Sequence, residues 1–122
     1  MIALERPYPL RGEIWWMHFP GDAPGKSRPG LVVSPDVRNS HSRATTILAI
    51  PLSTSIHKPS RFHLLLSAGE TGLREDSVAW AENISSVTRD QLVRRAEGQR
   101  PVTHLQICRL ASLVKLAMGC AE

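Results

Sequence analysis

Polar side chains are found at the ends of the predicted strands of this 122-residue chain. They are cations that bind anions, hydroxyl and amide groups that donate hydrogen bonds, and a carboxylate that can accept a proton. In a small barrel, strand ends from different hairpins meet at one rim, although such polar residues are usually only solvated. The residues are Lys26, Ser27 and Arg28 before the second predicted strand, Ser53 and Thr54 after the third, and Glu82 and Asn83 at the end of the fifth.

Other kinds of reactive site find no support in the sequence. There is no CxxC pair, no HExxH and no GxxxxGK[ST], which argues against a zinc ribbon, a zinc protease and a P-loop. The five histidines lack metal-ligand spacing, and neither Ser34 nor Ser53 lies in a G-x-S-x-G elbow. We therefore expect no metal site and no cofactor.

Composition favours one ordinary globular domain, which we expect to span residues 1–122. The chain is 42% hydrophobic and 21% charged, and its net charge is +4. Mild basicity permits a polyanionic partner but is common in proteins that bind none. The beginning of the sequence, "MIALERPYPL", has an early acid and two prolines where a signal peptide needs an apolar run. With no apolar run of about 18 residues, the sequence predicts a soluble, cytoplasmic protein without a membrane segment.

Short apolar segments separated by turns predict five strands, at 12–19, 30–34, 45–52, 61–66 and 76–84. In the fourth, alternation places Phe62, Leu64 and Leu66 on a buried face and His63 on the opposite face. Spacings of this kind predict a small sheet that curls into a barrel. Trp15, Trp16 and Trp80 could stack on bases, but large aromatic residues in strands are more often core. We leave them out of the predicted site.

The last part of the chain changes to helical periodicity. An apolar stripe begins at Ile107 and Leu110, Thr103 is placed to cap the helix, and Gly119 to end it. Cys108 is expected to be a small core residue of this helix. The segment "TRDQLVRR", residues 88–95, could form a short helical turn. The predicted fold class is therefore mainly β with a C-terminal helix.

Four motifs in register resemble the PemK/MazF-type toxins of bacterial type II toxin–antitoxin modules. They are "RGEIWW" at 11–16, "SRPGLVVSPD" at 27–36, "TTILAIPLSTS" at 45–55 and "GLREDSVAWAENISSV" at 72–87. The resemblance implies an SH3-like barrel of the PemK/MazF/CcdB type and a symmetric homodimer. It also implies an endoribonuclease that cuts single-stranded RNA, often at short sequence motifs and without metal. The implied partner is a separate antitoxin with a partly disordered tail across the RNA groove, and DNA would be met only through the antitoxin complex.

The resemblance implies that three residues of this chain are catalytic. Attack by a 2′-OH requires removal of its proton, protonation of the leaving 5′-oxygen and stabilisation of a phosphorane. Arg28 matches the family's arginine, and its planar, permanently charged fork suits phosphate oxygens. Ser53 stands where the family usually has a threonine that hydrogen-bonds the scissile phosphate. Glu82 matches an acidic position, where a carboxylate could take the 2′-OH proton or orient Arg28 by pairing with it.

Further contacts with RNA are expected around these three residues, and one loop departs from the family pattern. The segment before Arg28, "PGDAPGKS", is shorter than in many members, and we expect it to lack the usual acid or histidine, so that the general base lies elsewhere or the rate is low. The residues expected to bind RNA are Lys26, Ser27, Thr54, His57, Lys58 and Asn83.

Three functions remain open from the sequence. The first is a metal-independent, mRNA-cleaving toxin. The second is a DNA gyrase poison, because a related toxin group uses the same barrel and dimer but does not need Arg28 and Ser53. The third is a non-catalytic barrel that binds RNA or an antitoxin-like peptide.

Overall fold

A computed structural model describes residues 8–55 and 60–120 of the chain. It contains seven strands: β1 (Ile14–Met17), β2 (Arg28–Val32), β3 (Thr46–Ser53), β4 (His63–Leu66), β5 (Ser77–Trp80), β6 (Ser85–Thr88) and β7 (Leu92–Arg95). Three helices accompany them: α1 (Asp36–Asn39), α2 (Ala68–Thr71) and α3 (His104–Ala117). Two 3-10 turns, Ala81–Asn83 and Arg89–Gln91, flank β6.

The strands form one antiparallel sheet in the order β4-β5-β3-β2-β1-β7, and β6 pairs with β3 beside this path. β3 is the longest strand, with eight residues, and pairs with β2, β5 and β6. In the register of β2 with β3, Gly30 lies opposite Pro51. Arg28 is two residues before Gly30 and Ser53 two residues after Pro51, so both lie at the same end of this strand pair.

The core consists of two apolar clusters on the inner faces of the curled sheet. The larger one includes Ile14, Leu31 and Ile50 from the strands, and α3 contributes Ile107 and Leu110 to it. The smaller one gathers buried residues from β1, β2, β3 and β6, together with Phe19. Burial of large apolar side chains is the main stabilising term, and it fixes the strand ends that carry the polar groups. The predicted mainly β architecture with a C-terminal helix is confirmed.

The terminal helix begins and ends as predicted. The Thr103 side chain accepts a hydrogen bond from the Gln106 backbone N–H at 3.3 Å, and Gly119 has a φ of +86° just beyond the helix. The prediction for Cys108 was wrong, because this residue is exposed and its sulfur lies 3.4 Å from His104 Nε2. The helical spacing was read correctly, but Cys108 falls on the face turned away from the sheet.

Several predicted strand bounds were wrong by a few residues, with consequences for the site. Arg28 is the first residue of β2 and Ser53 the last residue of β3, not loop residues. The fifth strand ends at Trp80, so Glu82 and Asn83 lie in a 3-10 turn. The segment 88–95 is only partly helical, since a 3-10 turn leads into β7. β6 was missed because its four residues, "SSVT", carry a single apolar side chain.

Candidate functional site

Arg28 is held by a carboxylate that the sequence interpretation overlooked. Its Nε donates to Asp22 Oδ2 at 2.9 Å and its Nη2 to Asp22 Oδ1 at 2.8 Å, a two-point pairing. The side chains of Arg28 and Asp22 are 31% and 16% exposed, so the pair is partly shielded from water. The short loop before Arg28 thus supplies a carboxylate of its own, Asp22, which pairs with the arginine.

Local backbone geometry brings Asp22 back onto Arg28. The Asp22 N–H donates to the Phe19 carbonyl at 3.2 Å, which turns the chain directly after β1. Gly21 and Gly25 on either side have φ values of +87° and +81°, in the left-handed region where a side chain is disfavoured. The loop is short because these two glycines allow two sharp turns within a few residues.

A cleft of about 450 Å³ opens in front of this pair. Asn83 lies on its wall, and Trp80 and Phe19 supply aromatic surface. Among the described residues that line it, Arg28 and Asp22 are the only charged ones, so a positive and a negative charge face the same space. The lining residues are Phe19, Pro20, Asp22, Arg28, Pro51, Trp80, Asn83, Ile84 and Ser85.

Ser53 ends β3 and Thr54 follows it, and neither is among the described residues that line the cleft of Arg28. The Ser53 hydroxyl oxygen accepts a hydrogen bond from the Ser55 N–H at 3.0 Å, as in a turn cap, and its own proton remains able to donate to a ligand. Thr54 is exposed and lines a different cleft, of about 570 Å³, which also contains Pro29. Thr54 thus lies on the far side of β2 from the cleft of Arg28.

Glu82 pairs with His63 and not with Arg28. His63 Nε2 and Glu82 Oε1 are 3.0 Å apart, and the His63 ring stacks on Trp80 with a centroid separation of 5.0 Å and nearly parallel planes. His63 lies on the strand face opposite the buried Leu66, as predicted, but Trp80 covers it and leaves its side chain only 12% exposed. One of the two roles expected of Glu82 was to orient Arg28. Asp22 has that role instead.

The remaining residues that the sequence predicted for RNA binding lie at different distances from the cleft. Asn83 lines it directly. Lys26 is exposed and Ser27 half-buried at the end of the loop, where the Lys26 carbonyl lies 2.6 Å from His18 Nδ1. His57 and Lys58 lie outside the described residues. Within residues 8–55 and 60–120, no group of three His, Cys, Asp or Glu side chains is arranged to hold a metal ion.

Comparison with known protein families assigns the chain to one of them. A model of the PemK-like, MazF-like toxins of type II toxin–antitoxin systems matches residues 10–115, which include every strand and nearly all of α3. The chain belongs to this family. The match covers Arg28, Ser53 and Glu82, as well as Asp22.

Individual relatives agree with this assignment. The chain is 34% identical over 109 residues to Endoribonuclease MazF9 of Mycobacterium tuberculosis, covering 84% of this chain and 87% of that protein. Its fold matches an endoribonuclease solved in complex with its cognate antitoxin from a mycobacterial species, with a TM-score of 0.70 at 22% identity, over 93% of this chain and 98% of that one. It also matches MazF of Deinococcus radiodurans, with a TM-score of 0.69 at 23% identity, over 92% and 97% of the two chains.

Asp22 and His63 are the two site residues that sequence reasoning missed. Asp22 had one available signal, a carboxylate between two glycines six residues before an arginine. His63 had none, because the strand pattern places it opposite the core and gives no sign of the Trp80 ring that stacks on it. None of the helices in the part of the chain that the structure describes is long and apolar enough to cross a membrane.

Proposed function

We propose that this chain, as a single domain over 1–122, is the toxin of a type II toxin–antitoxin module. It is a sequence-selective, metal-independent endoribonuclease that cleaves single-stranded mRNA in the cytoplasm and so stops translation and growth. The observation that carries the proposal is the open edge of the Arg28 guanidinium, which lines a cleft in a chain of the PemK/MazF family. Its 34% identical relative is named an endoribonuclease.

The Arg28 fork retains the donors that a phosphate needs. A guanidinium has five N–H groups, and Asp22 takes one from Nε and one from Nη2. Three N–H groups remain: one on Nη2 and one on Nη1 point away from Nε at the end of the fork, and the second on Nη1 points to the side opposite Asp22. When the 2′-oxygen attacks phosphorus, negative charge increases on the equatorial oxygens, and fixed donors aimed at them lower the barrier. Arg28 is therefore assigned to stabilise the phosphorane.

Ser53 and Glu82 supply two further groups of the proposed reaction, and the leaving 5′-oxygen takes its proton from water. The free hydroxyl proton of Ser53, at the same end of the β2–β3 pair as Arg28, can donate to a phosphate oxygen. Glu82 is assigned to take the 2′-OH proton, because its side chain is 39% exposed and lies in the turn between the cleft residues Trp80 and Asn83. The His63 ring, fixed on Trp80, holds that carboxylate in place.

Binding of the RNA strand is assigned to groups around the cleft. Asn83 lines the cleft and has both a donor and an acceptor for a base edge, which is where sequence selectivity would arise. Lys26 lies exposed just before β2 and adds positive charge. Ser27, Thr54, His57 and Lys58 are proposed as further contacts with the RNA strand on either side of the scissile bond.

A homodimer and a cognate antitoxin are the proposed protein partners, and DNA is reached only through the antitoxin complex. Solved structures with the same fold include an endoribonuclease with its cognate antitoxin and the MazE–MazF pair of Deinococcus radiodurans. Light scattering of the purified protein should give twice the monomer mass, and a monomer at micromolar concentration would contradict the dimer.

The test of the proposed function uses purified protein, a single-stranded RNA and an EDTA-containing buffer. We expect cleavage that leaves 2′,3′-cyclic phosphate and 5′-hydroxyl ends, with Arg28→Ala inactive although folded. A parallel assay with DNA gyrase and plasmid covers the alternative poison. Intact RNA would refute the proposal, and intact RNA together with trapped gyrase–DNA complexes would establish the gyrase poison instead.

A further inference from the structure

The pairing of Asp22 with Arg28 has a consequence for catalysis beyond the binding of phosphate. Arginine side chains have several rotatable bonds, and an exposed guanidinium samples many orientations. In this structure two hydrogen bonds of 2.8 and 2.9 Å to one carboxylate fix both the position and the plane of the Arg28 fork. The fixed edge is the one that carries Nε, so the opposite edge is presented in a single orientation.

We propose that Asp22 is a positioning residue, which holds the Arg28 fork so that its Nη1 edge faces the scissile phosphate. The inference rests on the proposed function, because it assigns Asp22 a part in the same cleavage reaction. Asp22 is not the base: both of its oxygens already accept hydrogen bonds from Arg28, whereas Glu82 Oε1 meets only the His63 ring in the described residues.

The negative charge of Asp22 leads to a prediction about RNA binding. This prediction separates a role in orienting Arg28 from a role in attracting RNA. Asp22 is the only anionic residue in the described lining of the cleft, so it opposes the approach of a phosphate while it orients the arginine. Removing its charge should therefore leave RNA binding unchanged or tighter. The same change should lower the rate of the chemical step, because the donors are no longer aligned with the developing charge.

The experiment compares Asp22→Asn, Asp22→Ala and Asp22→Glu with wild type in single-turnover cleavage of one RNA, giving a rate constant and an RNA affinity for each. We expect Asp22→Asn and Asp22→Ala to cleave about 10- to 100-fold more slowly, with an affinity equal to or higher than that of wild type. Asp22→Glu retains the carboxylate and should recover part of the rate. Glu97→Gln is the matched control, since it removes one exposed acid that lies outside the Arg28 cleft.

A second readout needs no RNA. The side-chain Nε–H of Arg28 should give a resolved, slowly exchanging signal in a ¹H–¹⁵N spectrum of wild type and of Glu97→Gln. In Asp22→Asn and Asp22→Ala the signal should be lost, because the Nε proton then exchanges rapidly with water. The backbone signals should show that both variants are folded. This separates loss of the pairing from loss of the fold.

Three results would overturn the inference. The first is an unchanged cleavage rate in Asp22→Asn and Asp22→Ala. The second is a rate in Asp22→Glu no better than in Asp22→Asn, which would implicate the shape of the loop and not the carboxylate. The third is loss of the acidic limb of the pH–rate profile in Asp22→Asn with the Arg28 Nε–H still protected, which would make Asp22 the general base. Wild-type protein that leaves RNA intact refutes the proposed function itself, a different outcome from any of these three.

Discussion

Gly72 is the position where a single methyl group should disturb the fold most. It caps α2 with a φ of +78°, and its N–H donates to the Ala68 carbonyl at 2.9 Å. A Cβ built there would lie 2.3 Å from the Gly98 carbonyl oxygen and 3.0 Å from the Arg100 backbone nitrogen. Both neighbours are backbone atoms, so neither can rotate away as the end of a side chain could.

Two costs combine in Gly72→Ala. The left-handed conformation costs an alanine about 1–2 kcal/mol. Moving the Gly98 carbonyl away requires a shift of about 0.7 Å, from 2.3 Å to the 3.0 Å that real Cβ contacts respect, and such overpacking costs about 1–3 kcal/mol more. The total loss in the free energy of unfolding is therefore about 2–5 kcal/mol.

Gly25→Ala measures the cost of the left-handed backbone conformation alone. Gly25 has nearly the same φ, +81°, but a Cβ there would meet no atom within 4 Å. We expect this variant to lose only about 1–2 kcal/mol. Urea unfolding of both variants and of wild type, at one protein concentration because a dimer would make stability concentration-dependent, measures the difference. Equal losses in the two variants would refute the steric reasoning and mean that the Gly98 segment yields freely.

Two further predictions concern the wall of the cleft and the helix contacts. In Gly30→Ala, the new Cβ would lie 2.7 Å from Phe19 Cζ, so the Phe19 ring, which lines the cleft, must move. RNA cleavage should become slower, and the free energy of unfolding should fall by about 1–3 kcal/mol. An unchanged cleavage rate and an unchanged stability would contradict this prediction. The Ser67 backbone N–H and then the Gln106 side chain donate to Glu70 and lower its pKa below the usual 4.5. Since this group stabilises the fold above its unfolded-state pKa and the effect is lost as pH falls through the folded one, Glu70→Gln should flatten the fall in stability below about pH 4.5, measured by thermal melting across pH.

The strands and the ends of the terminal helix follow from local features of the sequence. Apolar runs such as "LVV" at 31–33 and "ILAI" at 47–50 are bounded by turn residues, and they form buried strands as predicted. Thr103 and Gly119 mark the ends of α3 through side-chain capping and a left-handed backbone, both local effects. Properties determined within a few residues of the chain were therefore predictable.

The partners of the site residues depend on contacts that periodicity does not encode. The family motif identified Arg28, but its partner Asp22 is brought there by two left-handed glycines and a turn onto the Phe19 carbonyl. His63 lies on the predicted face, but the stacked Trp80 ring, 17 residues away, covers it. Long-range packing of single side chains, and not the pattern along a strand, determines these positions.

The assignment of Arg28 as the phosphate-binding fork is tested most directly by the single-turnover cleavage rate of Arg28→Lys on single-stranded RNA in EDTA. Lysine keeps the positive charge but cannot pair with Asp22 and a phosphate oxygen through one rigid plane. The account predicts a rate at least about 100-fold below wild type with RNA affinity largely retained. A lysine variant that cleaves at the wild-type rate would contradict it, because charge alone would then be sufficient.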